Sequence, residues 1–166
     1  MGCETAAKGL LLDTNVWLDY YVPWRDGNRN AFDLIALANE KGWNLLFSIA
    51  TSKDVFYLVE CSFKRQFRLR SSGVLAPDQA AAAREIAWGC LSHMNEIATA
   101  VGADESDVWL ARKWKNLHAD YEDNLQLAAA SRANATLFVT EDEQLVKHSP
   151  IATLGVSDAL RHLAEG

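Results

Sequence analysis

Two acidic residues stand near the ends of apolar runs that are typical of buried strands. Asp13 directly follows residues 9–12, and Asp142 ends the segment Thr140-Glu141-Asp142 after residues 137–139. Continuous apolar runs of this length favour strands buried on both faces, as in a parallel sheet. In open α/β sheets, ligands bind at the carboxyl ends of the strands. We therefore expect both carboxylates in one crevice, where oxygen ligands favour Mg²⁺ or Mn²⁺ over zinc.

Two further acids lie near the predicted starts of helices. Asp54 belongs to Ser52-Lys53-Asp54, and Asp123 to Asp120-Tyr121-Glu122-Asp123. A carboxylate in the first turn of a helix is stabilised by the helix dipole. Taken singly, each acid has an ordinary explanation as a turn cap, a helix N-cap or a solvated helix residue. Taken together, carboxylates at several connections to one sheet edge would repel one another unless cations lay between them.

The elements that must position these acids alternate between strands and helices, which predicts a parallel sheet with helices on both faces. Strands are expected at residues 9–12, 43–47, 97–101, 137–139 and 151–154. We expect a short helix or turn at 16–21 and helices at 30–40, 48 to about 67, 104–115, 123–132 and from Ser157 onward. A further long helix is expected to begin at Pro77 and to include residues 80–91. No linker or repeat divides the sequence, so residues 1–166 are predicted to form one domain.

In their order, the acidic motifs resemble those of the PIN-domain nucleases. The matching segments are Leu11-Leu12-Asp13-Thr14-Asn15, Ser52-Lys53-Asp54, Asp120-Tyr121-Glu122-Asp123 with Gln126 and Ala129 after it, and Val139-Thr140-Glu141-Asp142. The resemblance extends from about Leu10 to the C-terminal helix. It is greatest to the bacterial branch that includes toxins of toxin–antitoxin pairs.

This resemblance implies a three-layer α/β/α sandwich with a central, mostly parallel sheet. It also implies Mg²⁺- or Mn²⁺-dependent cleavage of single-stranded or structured RNA, homodimers and, in the toxin branch, an antitoxin partner. Carried over residue by residue, the metal-binding and catalytic acids are Asp13, Asp54, Asp123 and Asp142, with Asp120 as an outer metal ligand. The second acid is commonly Glu in this family. Asp54 is shorter, and Glu60 on the same predicted helix is the alternative.

Such a site would suit the hydrolysis of a phosphodiester bond. Metal ions neutralise the phosphate, lower the pKa of a bound water and stabilise the leaving oxygen. Thr14, Asn15 and Thr140 could hold the acids through hydrogen bonds. Trp17 could line the crevice, although packing in the core explains it at least as well.

The composition is that of a globular protein, with 49% hydrophobic and 23% charged residues. The net charge of -6 and the pI of about 5.2 argue against a protein coated in positive charge for nonspecific duplex binding. Cys3, Cys61 and Cys90 form no C-x-x-C pair, so we expect reduced thiols in a cytoplasmic protein. Residues 1–8 lack the apolar stretch of a signal peptide, and no apolar run approaches the roughly 18 residues of a membrane span.

Two basic runs with aromatic neighbours are candidates for contact with an RNA strand. The first contains Lys64, Arg65, Arg68 and Arg70 beside Phe63 and Phe67, and the second contains Arg112, Lys113 and Lys115 around Trp114. A solvated helix face explains the first equally well. A structural Trp flanked by surface lysines is the simpler explanation of the second. The four histidines are dispersed, and no role is assigned to them.

Other functions are open on the sequence alone. A non-catalytic protein of the same fold could bind RNA or a partner protein, and the short Asp54 leaves room for that alternative. An acidic phosphohydrolase of another α/β class or a receiver-like signalling domain is a third hypothesis, although the acid pair and the later Lys of a receiver domain are not found. The sequence has no G-x-S-x-G, Walker or G-x-G-x-x-G motif, which excludes the common hydrolase and nucleotide-binding folds.

Overall fold

A parallel sheet forms the centre of the computed structural model, which describes residues 8–165. Its strands are β1 (Gly9–Leu12), β2 (Asn44–Ser48), β3 (Thr99–Val101), β4 (Leu137–Val139) and β5 (Thr153–Leu154). They lie in the order β3-β2-β1-β4-β5, and each neighbouring pair is parallel. The first strand of the chain is therefore the central strand of the sheet.

Eight helices occur in the described residues. They are α1 (Thr14–Tyr21), α2 (Asn28–Glu40), α3 (Ile49–Arg70), α4 (Pro77–Ile97), α5 (Glu105–Trp114), α6 (Tyr121–Arg132), α7 (Glu143–His148) and α8 (Val156–Glu165). The two longest, α3 and α4, pack against each other, and so do α5 and α6. These two helix pairs supply much of the surface around the sheet.

The sheet separates two apolar cores because successive side chains of a strand point to opposite faces. Leu10 and Leu12 of β1 pack with buried residues of α1 to α4 and α8. Leu11, between them, packs with buried residues of α6 and α7. All three leucines are fully buried. Helices on both faces of the parallel sheet make a three-layer α/β/α sandwich, which confirms the predicted fold class.

Most predicted elements occur close to their expected bounds. β1 and β4 match residue for residue, and β3 is confirmed. α2 ends before Gly42, whose φ of 71° suits a glycine. β5 is shorter than predicted, and α7 was not predicted at all. Ser48 caps α3, as the predicted start of this helix implies, and Asp54 lies in its second turn, near the N-terminus.

The predictions about the cysteines and the N-terminal segment concern residues that the structure describes only in part. Cys61 and Cys90 are free thiols within residues 8–165. Cys3 and the polar segment before Lys8 lie outside the described residues. None of the helices in the described part of the chain is both long and apolar enough to cross a membrane.

The direction in which the sheet grows changes at β1. β2 and β3 extend the sheet on one side of β1, and β4 and β5 extend it on the other. In open α/β sheets, the crevice at the carboxyl ends of the strands beside such a change is where ligands bind. Asp13 follows β1 there and Thr140 follows β4, so this crevice positions the first and last acidic motifs.

Candidate metal centre

Asp13 lies at the carboxyl end of β1, between the sheet and α1. Its amide donates to the carbonyl of Val139 at 2.9 Å, and its own carbonyl accepts from the amide of Val16 at 3.0 Å. Its side chain makes no capping hydrogen bond to α1. Instead, Oδ2 accepts a 2.7 Å hydrogen bond from the hydroxyl of Thr140. The explanation of Asp13 as a simple turn cap therefore does not account for its side chain.

The environment of Asp13 disfavours its charged form. The residue is only 3% exposed, and this burial raises the pKa of its carboxyl group. The hydrogen bond from Thr140 lowers that pKa, whereas the negative charge of Asp123 raises it. No Lys, Arg or His among the described residues forms an ion pair with Asp13. A buried carboxylate with a like charge nearby needs a cation from elsewhere to remain ionised at low cost.

Thr140 connects the first and last acids. Its hydroxyl donates to Asp13 and accepts from the amide of Asp142 at 3.1 Å. The same hydroxyl is fully buried. Asp142 then caps α7, with Oδ1 accepting from the amides of Gln144 and Leu145 at 2.7 and 3.3 Å. These contacts engage one oxygen of the Asp142 carboxylate and leave the other for a second partner.

Asp123 brings the third motif to the same place. It is the third residue of α6, which begins two residues earlier than predicted, and it lies near the helix N-terminus as expected. One ligand atom each of Asp123, Asp142 and His118 lies within 4.8 Å of the others. Burial raises the pKa of the Asp123 carboxyl group, the hydrogen bond with His118 lowers it, and the charges of Asp120 and Asp142 raise it further. The sequence-predicted acids Asp123 and Asp142 are thus brought together with the edge that carries Asp13.

His118 is a member of this group that the sequence did not reveal. Its Nε2 lies 2.7 Å from Oδ2 of Asp123. Its backbone carbonyl accepts a 2.8 Å hydrogen bond from the side-chain amide of Asn124, which fixes the connection between α5 and α6. The only sequence signal was that His118 lies two residues before the Asp120-Tyr121-Glu122-Asp123 segment. It can hold Asp123 in place or offer a nitrogen ligand of its own.

Asp54 meets a different carboxyl group, that of Glu122 at the start of α6. Contact with Asp54, followed by burial, raises the pKa of Glu122 to about 7. Oδ2 of Asp54 is buried and has no hydrogen-bond partner among the described residues. Oδ1 pairs with Lys53 at 3.2 Å. Glu122 was not predicted as a site residue, and only its position one residue before Asp123 could have indicated it.

Asp120 occupies a more peripheral position. It is exposed and caps α6, with Oδ1 accepting from the amides of Glu122 and Asp123 at 2.8 and 3.2 Å. The N-cap explanation therefore accounts for one of its oxygens. Its charge still acts on the centre, because it raises the pKa of both Asp123 and Glu122.

A buried chain of hydrogen bonds ties the elements beneath the acids together. The hydroxyl of Thr14 donates to that of Thr51 at 3.2 Å, and Thr51 donates to the side-chain carbonyl of Gln126 at 3.2 Å. The side chain of Gln126 also lowers the pKa of the Asp13 carboxyl group. Thus α1, α3 and α6 are joined directly under Asp13, a support of the kind that orients ligands in metal sites. Asn15, which could have helped but for which stabilising the turn is the commoner role, is exposed, and Trp17 is fully buried in the core.

Glu60, the alternative second acid, has its charge balanced elsewhere. It is 6% exposed and pairs with Lys64 at 2.5 Å and with Arg84 of α4 at 3.3 Å. The hydrogen bond from Lys64 is the main reason that the pKa of Glu60 is lowered. Its contacts join α3 to α4. Glu60 therefore has basic partners, which Asp13 lacks among the described residues.

The donors of this centre fit a hard divalent cation. Carboxylate oxygens dominate, and they are the ligands that Mg²⁺ and Mn²⁺ prefer. The buried Oδ2 of Asp54 and the raised pKa of Asp13, Asp123 and Glu122 are the local signs of negative charge that a cation would neutralise. His118 adds one nitrogen, which Mn²⁺ accepts more readily than Mg²⁺ does.

Several solved structures resemble this chain, and two of them match it over nearly its whole length. The crystal structure of VapBC2 from Rickettsia felis, bound to a DNA fragment from the promoter, contains a chain with a TM-score of 0.60 and 15% identity; the match covers 89% of this chain and 98% of that one. PAE2754 from Pyrobaculum aerophilum has a TM-score of 0.57 and 17% identity, with 98% and 95% covered. These likenesses concern the fold.

Sequence comparison gives the family. No curated protein sequence matches the chain. Residues 9–144, however, match the PIN domain. This segment runs from the first residue of β1 into α7 and contains Asp13, Asp54, Asp123 and Asp142. The resemblance seen in the acidic motifs is confirmed, and the chain belongs to the PIN-domain family.

Proposed function

We propose that this protein is a Mg²⁺- or Mn²⁺-dependent endoribonuclease that hydrolyses phosphodiester bonds in single-stranded or structured RNA. PIN domains are generally nucleases, which supports the reaction class. The observation that carries the proposal is the burial of Asp13 beside Asp123 with no cationic partner among the described residues. Such an arrangement is costly in the metal-free protein and becomes favourable when a divalent cation is shared between the acids.

In this proposal Asp13, Asp54, Asp123 and Asp142 are the metal-binding and catalytic acids. Asp120 acts from the periphery of the centre, and the cytoplasm is the expected compartment. A bound Mg²⁺ or Mn²⁺ would supply charge neutralisation of the phosphate and a bound water of lowered pKa. The protein's own residues do the positioning: Thr140 holds Asp13 and the amide of Asp142, and His118 holds Asp123.

The decisive variant is Asp13→Asn, because the amide oxygen can still accept the hydrogen bond from Thr140 while the charge is lost. The wild-type protein and the variant are incubated with single-stranded RNA and single-stranded DNA, with Mn²⁺ and with a chelator. We expect metal-dependent cleavage of RNA that falls by about 10³-fold in the variant, the scale at which loss of a central transition-state interaction acts. Equal cleavage by both proteins would reveal a contaminating nuclease.

Metal binding is measured separately from cleavage. A ligand that binds only the folded state raises the melting temperature in proportion to its affinity. We expect Mn²⁺ to stabilise the wild-type protein and to have a much smaller effect on Asp13→Asn. If Mn²⁺ changed neither protein and no substrate were cut, the non-catalytic RNA- or protein-binding alternative would replace the nuclease.

We further propose that the protein is the toxin of a toxin–antitoxin pair. The similar chain from Rickettsia felis belongs to VapBC2, and its crystal structure includes a DNA fragment from the promoter. The proposal predicts a small neighbouring gene whose product binds both DNA and this chain. Production of the wild-type chain in a bacterial host should stop growth, production of Asp13→Asn should not, and the neighbouring gene product should restore growth. Growth arrest by the Asp13→Asn variant at equal abundance would contradict it.

A homodimer is also proposed, and an exposed aromatic patch on α3 and α4 supports it. Tyr57 and Trp88 are 59% and 54% exposed. Phe56 links them, with ring centroids 5.2 Å from Tyr57 and 4.8 Å from Trp88. Exposed aromatic clusters of this kind mark association sites. Light scattering should give twice the chain mass for the wild type and a monomer for Trp88→Glu. An unchanged dimer in that variant would exclude this patch.

A further inference from the structure

A groove runs along α5 and the start of α6, beside the metal centre. Its volume is about 520 Å³. Three of its lining residues are basic: Arg112, Lys113 and Lys115. Two are aromatic, Trp109 and Tyr121, and Asn124 lies at the α6 end. Neither the metal-binding acids nor any other Asp or Glu is among its lining residues. The groove is therefore a local exception in a chain whose net charge is -6.

The three basic side chains are available to a partner. All are exposed, and none forms an ion pair with another residue between 8 and 165. Most other basic side chains of the helices are paired, such as Arg84 with Glu60 and Arg132 with Asp107. Exposed cations on one side of a helix concentrate positive potential there, which attracts phosphate groups.

The two aromatic side chains are exposed to an unusual degree. Trp109 is 54% exposed and Tyr121 is 52% exposed, although both are large enough to gain from burial. The ammonium group of Lys113 lies 3.7 Å from the centroid of the Trp109 ring. One face of the indole is thus covered by a cation, and the lysine is held beside the ring. An aromatic surface with an adjacent cation suits a nucleotide, whose base can stack while its phosphate is neutralised.

The groove and the metal centre share a wall. Tyr121 and Asn124, which line the groove, lie in the same turn of α6 as Asp123. The side-chain amide of Asn124 holds the carbonyl of His118, and the imidazole of His118 contacts Asp123. A strand bound in the groove therefore passes within one helical turn of the acids.

We propose that this groove binds the single-stranded RNA on one side of the bond that is cut, with phosphates on Arg112, Lys113 and Lys115 and bases stacked on Trp109 and Tyr121. The proposal rests on the proposed nuclease function, because it identifies the path of that substrate. An acidic peptide could satisfy the cations but would leave the exposed aromatic rings without a matching partner. A duplex keeps its bases paired and stacked, so the rings favour an unpaired strand.

The first test compares two triple variants. One is Arg112→Ala/Lys113→Ala/Lys115→Ala, and the other is Arg65→Ala/Arg68→Ala/Arg70→Ala, which removes three exposed cations near the end of α3. Binding of a fluorescent 20-nucleotide single-stranded RNA is measured in chelator at several salt concentrations, so that no cleavage occurs. We expect the first variant to bind at least tenfold more weakly, with the slope of log affinity against log salt reduced by about 2, as three lost phosphate contacts on a single strand predict. The second variant should bind like the wild type, and the reverse result would move the RNA path to α3 and overturn the proposal.

A second test isolates the stacking. Trp109→Ala should weaken RNA binding about tenfold, whereas Trp109→Phe, which retains an aromatic face, should lose much less. Equal losses in the two variants, or no loss in either, would contradict stacking on this ring. A polyglutamate peptide that displaces the RNA as effectively as unlabelled RNA does would show a peptide site and overturn the assignment to RNA.

The groove and the metal centre can fail separately. Hydrolysis of bis(4-nitrophenyl) phosphate with Mn²⁺ needs the metal centre. This substrate is too small to require binding in the groove. We expect the groove variants to retain this activity and Asp13→Asn to lose it. If RNA binding depends on the groove but no Mn²⁺-dependent hydrolysis occurs, the nuclease proposal is overturned and the groove proposal stands. If hydrolysis occurs but the groove variants bind RNA with unchanged affinity, the groove proposal is overturned and the nuclease proposal stands.

Discussion

Four acidic residues in the described part of the chain are classed as buried, and they fall into two groups. Asp19 pairs with Arg25 at 2.5 Å, Glu60 with Lys64 at 2.5 Å, and Asp107 with Arg132 at 2.9 Å. Asp13 has no basic partner within residues 8–165 and lies near another acid, Asp123. Burial alone is therefore not a sign of function in this protein.

The contrast between Asp13 and Glu60 is the most instructive. They are 3% and 6% exposed, yet the pKa of Asp13 is raised and that of Glu60 is lowered. At Glu60 the chain supplies its own cations, and the result is a bridge between α3 and α4. At Asp13 no residue between 8 and 165 supplies a cation, and a bound ion is proposed to provide the missing charge. The sign of the pKa shift separates the structural carboxylate from the proposed metal ligand.

The largest expected effect tests which acid of α3 belongs to the metal centre. Asp54→Asn should weaken Mn²⁺ binding by on the order of 100-fold, because a charged ligand is replaced by a neutral one. Glu60→Gln should leave Mn²⁺ affinity unchanged and lower the free energy of unfolding by about 1 kcal/mol, since its partners are partly exposed. Titration calorimetry measures the Mn²⁺ affinity of both variants, and urea unfolding measures the free energy of unfolding of Glu60→Gln. A loss of affinity in Glu60→Gln alone would reverse the comparison.

A smaller effect is expected from the residue that links two of the acids. Thr140→Val has nearly the same shape, but it removes the donor to Asp13 and the acceptor for the amide of Asp142. We expect about a tenfold loss of Mn²⁺ affinity, the lower part of the range for residues that support metal ligands. The matched control is Thr153→Val, whose hydroxyl bonds only within the segment before β5. Equal affinities for the two variants would show that Thr140 does not position the acids.

The pH dependence of the metal-free protein should reveal the unbalanced acids. A carboxyl whose pKa is raised on folding contributes stability below its unfolded value, and that stability is lost as the pH rises toward the folded value. For Glu122 this window runs from 4.5 to about 7. We expect the melting temperature in chelator to fall by about 2–4 °C between pH 5 and pH 8. Mn²⁺ should remove the fall, and Glu122→Gln should reduce it; a rise with pH would contradict the charge imbalance.

The smallest effect is expected at Arg84, the more exposed of the two basic residues that pair with Glu60. Arg84 is 60% exposed and bonds Glu60 at 3.3 Å, so Arg84→Ala should lower the free energy of unfolding by at most about 1 kcal/mol. Urea unfolding measures this loss, and RNA cleavage should not change. A large loss of cleavage in this variant would show that the α3–α4 bridge acts on the centre after all.

The elements that could be predicted from the sequence are those with a clear pattern in the local sequence. The apolar runs define β1 and β4 to the residue, because a strand buried on both faces must be apolar throughout. α7 was missed because its six residues are too few for a helical period to show. β5 has only two residues with strand hydrogen bonding, fewer than its apolar neighbours suggested.

The site was predictable only where each acid stands next to a strand or a helix start. The contact of Asp54 with Glu122 joins two helices that the sequence does not show to be neighbours. The same holds for Glu60 and Arg84, although Lys64, four residues after Glu60, was visible as a helical neighbour. His118 lies in an irregular connection, where no period predicts the direction of a side chain. Pairings across space decide which acids are balanced, and they require the folded chain.

The hydrogen bond from Thr140 to Asp13 joins residues that are 127 positions apart in the sequence. β1 leaves the ribosome well before β4, the strand that pairs with it on one side. Contacts this distant in the chain form late in folding. A nascent chain therefore carries Asp13 without the segment that completes the centre. The RNA-cleaving centre proposed for this protein would thus stay incomplete on the RNA-rich ribosome until β4 has been synthesised.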